Sequence, residues 1–206
     1  MTISSSPGGN IPQSGTGSAD GYMFFNAGEV RTLDAMTARI MPSEPDGRGA
    51  REAGVVTYLD RAVAGYFRDL QSVYRVGVQR LDAYSLAKAG GIFPELSAAQ
   101  QDEILAQLDT GRGVSSAGES VEARDTNGSD AILARFFAIV REHTIQGMFC
   151  DPIYGGNRDY TGWKLIGFPG AQWEYTEEQM RAGFDATTIP ILSLADLQRP
   201  KAPRHD

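Results

Sequence analysis

The chain reads as a mainly α protein: an irregular helical domain carrying a long, ordered C-terminal loop rich in glycine and aromatic residues. Three observations lead there. Apolar residues recur at helical spacing in five separate stretches, and residues that favour helix ends flank them. No stretch alternates apolar and polar residues over the length of a strand. One segment, His143 to Gly170, packs six glycines, five aromatic residues and two prolines into a stretch with no regular period. Such segments in compact domains are usually functional or disordered, and disorder is a poor fit when Phe149, Tyr154, Tyr160, Trp163 and Phe168 all need a place to pack.

The first helix is expected from Ala27 to Met41. Asn26 is a capping residue and Glu29, three positions on, completes a capping box. Val30, Leu33, Met36, Ile40 and Met41 follow at helical spacing, and Pro42 stops the run. The loop PSEPDGRGA is strongly punctuated by proline and glycine. A second helix is expected over Arg51 to Leu70, where Val55, Val56, Leu59, Val63, Tyr66, Phe67 and Leu70 draw one apolar stripe. A third spans Val73 to Lys88 and meets Gly90 and Gly91, suited to a left-handed cap. Ser97 and Gln100 repeat the capping-box spacing ahead of a short fourth helix that closes at Gly111. Residues 111–129 offer almost nothing to bury and read as an exposed linker. From Asp130 a fifth helix runs to about Met148, with Leu133, Phe136, Phe137, Val140 and Thr144 on one side, and delivers the chain into the loop. Thr176 and Gln179 have the spacing to cap a further short helix, and Ile189 to Leu197 is apolar enough to dock. The organisation is a tail over 1–20, one helical domain over 21–198 and a second tail over 199–206.

The 206 residues fit one domain, and a 41% apolar and 22% charged composition is ordinary for a globular chain. The formal net charge is −7 without a Lys/Arg cluster, which argues against nucleic acid or an anionic membrane surface as partner. No apolar run approaches the roughly 18 residues of a bilayer span. Cys150 is the only cysteine, and His143 and His205 are the only histidines, so an internal disulfide and c-type haem attachment are excluded and a Cys/His zinc cage nearly so. Residues 1–20 lack a basic start, an apolar core and any arginine. The expectation is a cytoplasmic location, or a periplasmic one if a signal-bearing partner carries the chain across.

Within the loop, His143 falls three residues after Val140 and so on or beside the buried stripe of the fifth helix, which fits a hydrogen-bonded core histidine before it fits a proton-transfer group. Asp151 before Pro152 is suited to accept nearby amide N–H groups in a turn. Gly155 and Gly156 allow positive φ or close backbone approach, and Asn157 can bond through both ends of its amide. Tyr154 and Trp163 are residue types that carry energy at interfaces; with Asp151, Gly155, Gly156, Asn157 and Phe168 they form the expected contact surface. A nucleophile elbow, phosphate loop and dinucleotide fingerprint are all missing, so no catalytic residue is assigned beyond a weak candidate in His143, and no cofactor or metal is expected in this chain. The alternative is a small stand-alone substrate-binding or catalytic protein using His143, Asp151 and Asn157.

The segment Asp151-Pro152-x-Tyr154-Gly155-Gly156-Asn157, flanked by Gly147, Met148 and Phe149 before it and by Gly162, Trp163 and Ile166 to Gly170 after it, resembles the C-terminal signature of the gluconate 2-dehydrogenase subunit 3 family. Phe24 to Pro42 and Ala53 to Asp60 are similar to that family's N-terminal half. The resemblance implies a small non-catalytic subunit that stabilises, matures or escorts a large FAD-binding flavoprotein of the glucose-methanol-choline type acting on sugars or sugar acids. FAD then resides in the partner, and a cytochrome c subunit often receives the electrons.

Overall fold

The computed structural model describes residues 21–110 and 128–198. The expected tails at 1–20 and 199–206, and most of the expected linker, lie outside these. Seven α-helices occur among the described residues: α1 (Ala27–Ile40), α2 (Val55–Ala64), α3 (Gln71–Ala89), α4 (Ala98–Thr110), α5 (Gly128–Phe149), α6 (Thr161–Ile166) and α7 (Leu194–Leu197). Apart from helices, the described residues form a single isolated parallel bridge between Gly170 and Leu192. The mainly α reading holds.

Four of the five expected helices stand within two residues of their predicted limits, because their ends are written in side chains. At α1, Asn26 Oδ1 accepts the Glu29 N–H at 3.0 Å and the Glu29 carboxylate accepts the Asn26 N–H at 2.9 Å. Ser97 and Gln100 exchange the same pair of bonds ahead of α4, and Gly90 closes α3 at φ 79°. Helix α5 starts earlier than expected and takes Gly128 and Ser129 from the supposed linker.

The second helix is the correction. Gly54, at φ 69°, delays its start to Val55, and Gly65 ends it, leaving a 3-10 turn at Arg68–Leu70 in place of the last helical turns. The apolar spacing of Tyr66, Phe67 and Leu70 is helical on paper, but the break turns Tyr66 out to 87% exposure. The short helix expected after Thr176 is also replaced. Thr176 and Gln179 do exchange capping bonds, yet only turns follow, since a segment so largely exposed lacks the packing that a short helix needs.

Helix α5 is the axis of the molecule and packs against α1, α2, α3, α4 and α6. Its Leu133, Phe136, Val140 and Met148 are fully or almost fully buried, among Leu33 and Met36 of α1, Leu59 and Val63 of α2, and Tyr74 and Leu81 of α3. Helix α3 approaches α5 closely at Gly77, where an added Cβ would lie 2.3 Å from the Phe136 ring. The N-terminal segment is fastened across α2 and α3. Asp60, buried on α2, accepts the N–H groups of Met23, Phe24 and Phe25 at 2.5, 2.8 and 2.9 Å. Arg75 of α3 pairs with Glu29 at 2.7 Å and lies 4.4 Å over the Phe24 ring.

Candidate functional site

The segment after α5 folds back on the end of that helix, and the amide of Asn157 is the fastening. Its Nδ2 donates to the Cys150 carbonyl at 2.8 Å, its Oδ1 accepts the Gly162 N–H at 2.8 Å and the Trp163 N–H at 3.4 Å, and its backbone N–H donates to the Gly147 carbonyl at 2.9 Å. A side chain four residues before the helix thus satisfies two of the free N–H groups that open α6. Asn157 is wholly buried in doing so. The neighbouring Arg158 N–H reaches the Ala53 carbonyl at 2.9 Å, tying the same turn to the start of α2.

Backbone strain is concentrated here. Asn157, Asp159 and Tyr160 have φ of 46°, 54° and 59°, the three positive values outside glycine among the described residues. Each costs on the order of 1–3 kcal/mol and persists only where surroundings enforce it. Tyr160 is enforced by a parallel stack on Trp163, with centroids 5.7 Å apart, and by its hydroxyl bond to Asp196 at 3.1 Å. The glycines allow the close approach. A Cβ on Gly156 would stand 2.1 Å from the Gly147 carbonyl oxygen, and one on Gly162 would stand 1.9 Å from that of Met148.

Several expected contact residues are therefore interior. Trp163 is 5% exposed, with its indole N–H donated to the Phe149 carbonyl at 2.8 Å and Phe168 packed edge-on at 5.4 Å. Asn157 and Gly156 are buried with it. The sequence could place Trp163 in an aromatic cluster but not say which side of the fold the cluster faced. Asp151 is buried as a clamp, accepting the Ile153 N–H at 3.0 Å in a turn and the Leu194 N–H at 2.7 Å, which fixes the start of α7. Of the expected surface, Tyr154 at 56% and Phe168 at 42% stay exposed.

His143 lies in α5, inside the regular helix rather than in the irregular segment, and is 4% exposed. Its Nδ1 shares a 2.9 Å hydrogen bond with the Tyr74 hydroxyl, and the Phe67 ring stacks on it at 4.3 Å. Burial holds the imidazole below its ordinary value, so the ring is neutral at pH 7, and burial also raises the Tyr74 phenol. The polar pocket expected from His143, Asp151 and Asn157 does not assemble: each is bonded to a different set of partners. Among the described residues no group of His, Cys, Asp and Glu has the grouping of a metal site, and no helix is long and apolar enough to cross a membrane.

What the fold presents outward is a groove of about 790 Å³ between α2 and α5. Tyr58, Arg61 and Ala62 line it from α2, Ile145, Gln146 and Phe149 from α5, Tyr66 and Phe67 from the chain beyond α2, and Cys150, Ile153 and Tyr154 from the signature turn. Signature glycines shape it. Gly147 leaves room for Tyr58, which a Cβ would meet at 2.8 Å, and Gly155, at φ 98°, leaves room for the Arg61 stem at 2.8 Å. The Tyr58 hydroxyl donates to Gln146 Oε1 at 2.9 Å. Burial pushes the Cys150 thiol up to about 11, so it is a neutral packed group. Sequence reasoning missed this groove; the signal was there in Tyr58 and Arg61, on one face of α2 at i and i+3.

A comparison with protein families matches residues 27–170 to gluconate 2-dehydrogenase subunit 3. The match opens at the first residue of α1 and closes on Gly170, at the end of the signature. No curated protein and no solved structure matches the chain. With well over half of its residues matched, this chain belongs to the gluconate 2-dehydrogenase subunit 3 family.

Proposed function

We propose that this chain is a small accessory subunit of an FAD-dependent sugar or sugar-acid dehydrogenase of the glucose-methanol-choline type, which stabilises, matures or escorts the catalytic flavoprotein. The observation that carries the reading is the family match over α1 to α6, which includes the whole signature. The site geometry supports it from a second direction. The Asp151 and Asn157 side chains are spent on internal hydrogen bonds, so the work of these two residues is to build a scaffold, not to present a reactive group. FAD belongs to the catalytic subunit in this proposal, and a cytochrome c subunit is a further member in complexes that carry one. The compartment follows the partner: cytoplasmic, or periplasmic if a signal on the partner takes both across.

The test is co-expression with the catalytic flavoprotein. Flavin absorbance is expected in the fraction that contains both chains and not in this chain alone, and omitting this chain should lower the yield of soluble, flavin-loaded partner. A chain that binds FAD or oxidises a sugar by itself would overturn the proposal.

A further inference from the structure

The groove between α2 and α5 has features that scaffold-building leaves unexplained. Tyr66, Tyr154, Ile153 and Ile145 line it with exposures of 87%, 56%, 50% and 48%, a contiguous apolar surface of the kind that marks an interaction site rather than scattered exposure. Its charge is also unusual. Arg61 is the one charged residue in the lining, although the chain as a whole carries −7. Among the described residues the Arg61 guanidinium has no ion pair, so its charge in this apolar lining is left without a carboxylate from its own chain. The Gly155 turn then holds the Arg61 stem at the groove edge.

We infer that this groove is the docking site for a short segment of the catalytic subunit that carries two or three apolar side chains and one carboxylate, the carboxylate meeting Arg61. The inference rests on the accessory-subunit reading and adds where and by what chemistry the partner is held. The size fits. Its volume of about 790 Å³ holds the apolar side chains of a short segment, and helix-in-groove recognition uses a few such anchors. A second copy of the chain fits worse. The lining holds no carboxylate, so a twofold pairing of two grooves would set one unpaired Arg61 against the other.

The experiment measures affinity for the catalytic subunit, and the melting temperature of the free chain, in the wild type and in Ile145→Asp, Arg61→Glu, Arg61→Gln and Leu86→Asp. Ile145→Asp and Arg61→Glu are expected to raise Kd at least tenfold without lowering the melting temperature. Leu86→Asp, at an exposed position of α3 outside the groove, should leave Kd unchanged. Salt should weaken wild-type binding, and Arg61→Gln should remove part of that dependence. Wild-type affinity in both groove variants would overturn the inference and leave the accessory role standing; a wild-type chain with no affinity for the catalytic subunit would overturn both. Self-association of the free chain abolished by Ile145→Asp would give the groove to a second copy, and a lipid or other amphiphile seen by native mass spectrometry and expelled by Arg61→Glu would give it to a small molecule. Either result overturns the assignment to the partner.

Discussion

Asn157 and Trp163 locate the difference between what the signature contains and what it does. Their residue types are legible: an amide able to bond at both ends, and an aromatic of the kind that anchors interfaces. Their side of the fold is not, because composition does not say whether a ring packs inward or outward, and the bonds from Asn157 to Cys150, Gly162 and Trp163 exist only once the turn has closed. Trp163→Ala should accordingly cost about 3–5 kcal/mol of folding stability, the range for a large aromatic removed from a packed interior, read as a fall in melting temperature of the free chain. An unchanged melting temperature with lost partner affinity would return Trp163 to the interface. His143 was legible as a core residue from its place after Val140, and its pH behaviour follows from its burial. Because the folded-state pKa is depressed, the neutral ring contributes fully to stability above about 6.5, the unfolded value, and that contribution is lost as pH falls below it. Melting temperature between pH 7.5 and 5 should therefore fall more steeply in the wild type than in His143→Gln; parallel slopes would contradict the assignment.

At the level of elements, α1, α3, α4 and α5 were readable because caps and apolar stripes agree along the sequence. Helix α6 was not. It is six residues long and contains Gly162, and its first N–H groups are satisfied by Asn157 from outside the helix, so no local rule marks its start. Helix α2 was overextended because periodicity does not register the break at Gly65. Gly162 tests the packing of α6 on α5. In Gly162→Ala the new Cβ would overlap the Met148 carbonyl oxygen at 1.9 Å, and relief requires that the two helices separate. The expected loss is at least about 1–3 kcal/mol, as for overpacked interiors, with faster hydrogen exchange at the Gly162 and Trp163 amides, whose acceptor is Asn157. Wild-type protection at those two amides would show that the close approach is not what holds α6.

The whole molecule divides its labour. Helix α5 and the buried turn after it make a rigid interior, with Asp151 and Tyr160 reaching out to fix α7, while Tyr58 and Arg61 are laid over Gly147 and Gly155 to line the outer groove. Sequence alone placed the chain among helical accessory subunits through the signature, but put part of the contact surface on Asp151, Gly156, Asn157 and Trp163, which turn inward, while Tyr154 and Phe168 stay exposed. The groove escaped because it is assembled from α2 and α5, far apart in sequence. The central claim is that this scaffold serves another chain, and native mass spectrometry of the co-expressed pair tests it most directly. The account predicts a stoichiometric complex of this chain with the catalytic subunit in which one FAD is retained after this chain is stripped away, and a free chain whose mass is that of the polypeptide alone. FAD retained on this chain, or two folded proteins that never associate, would contradict it.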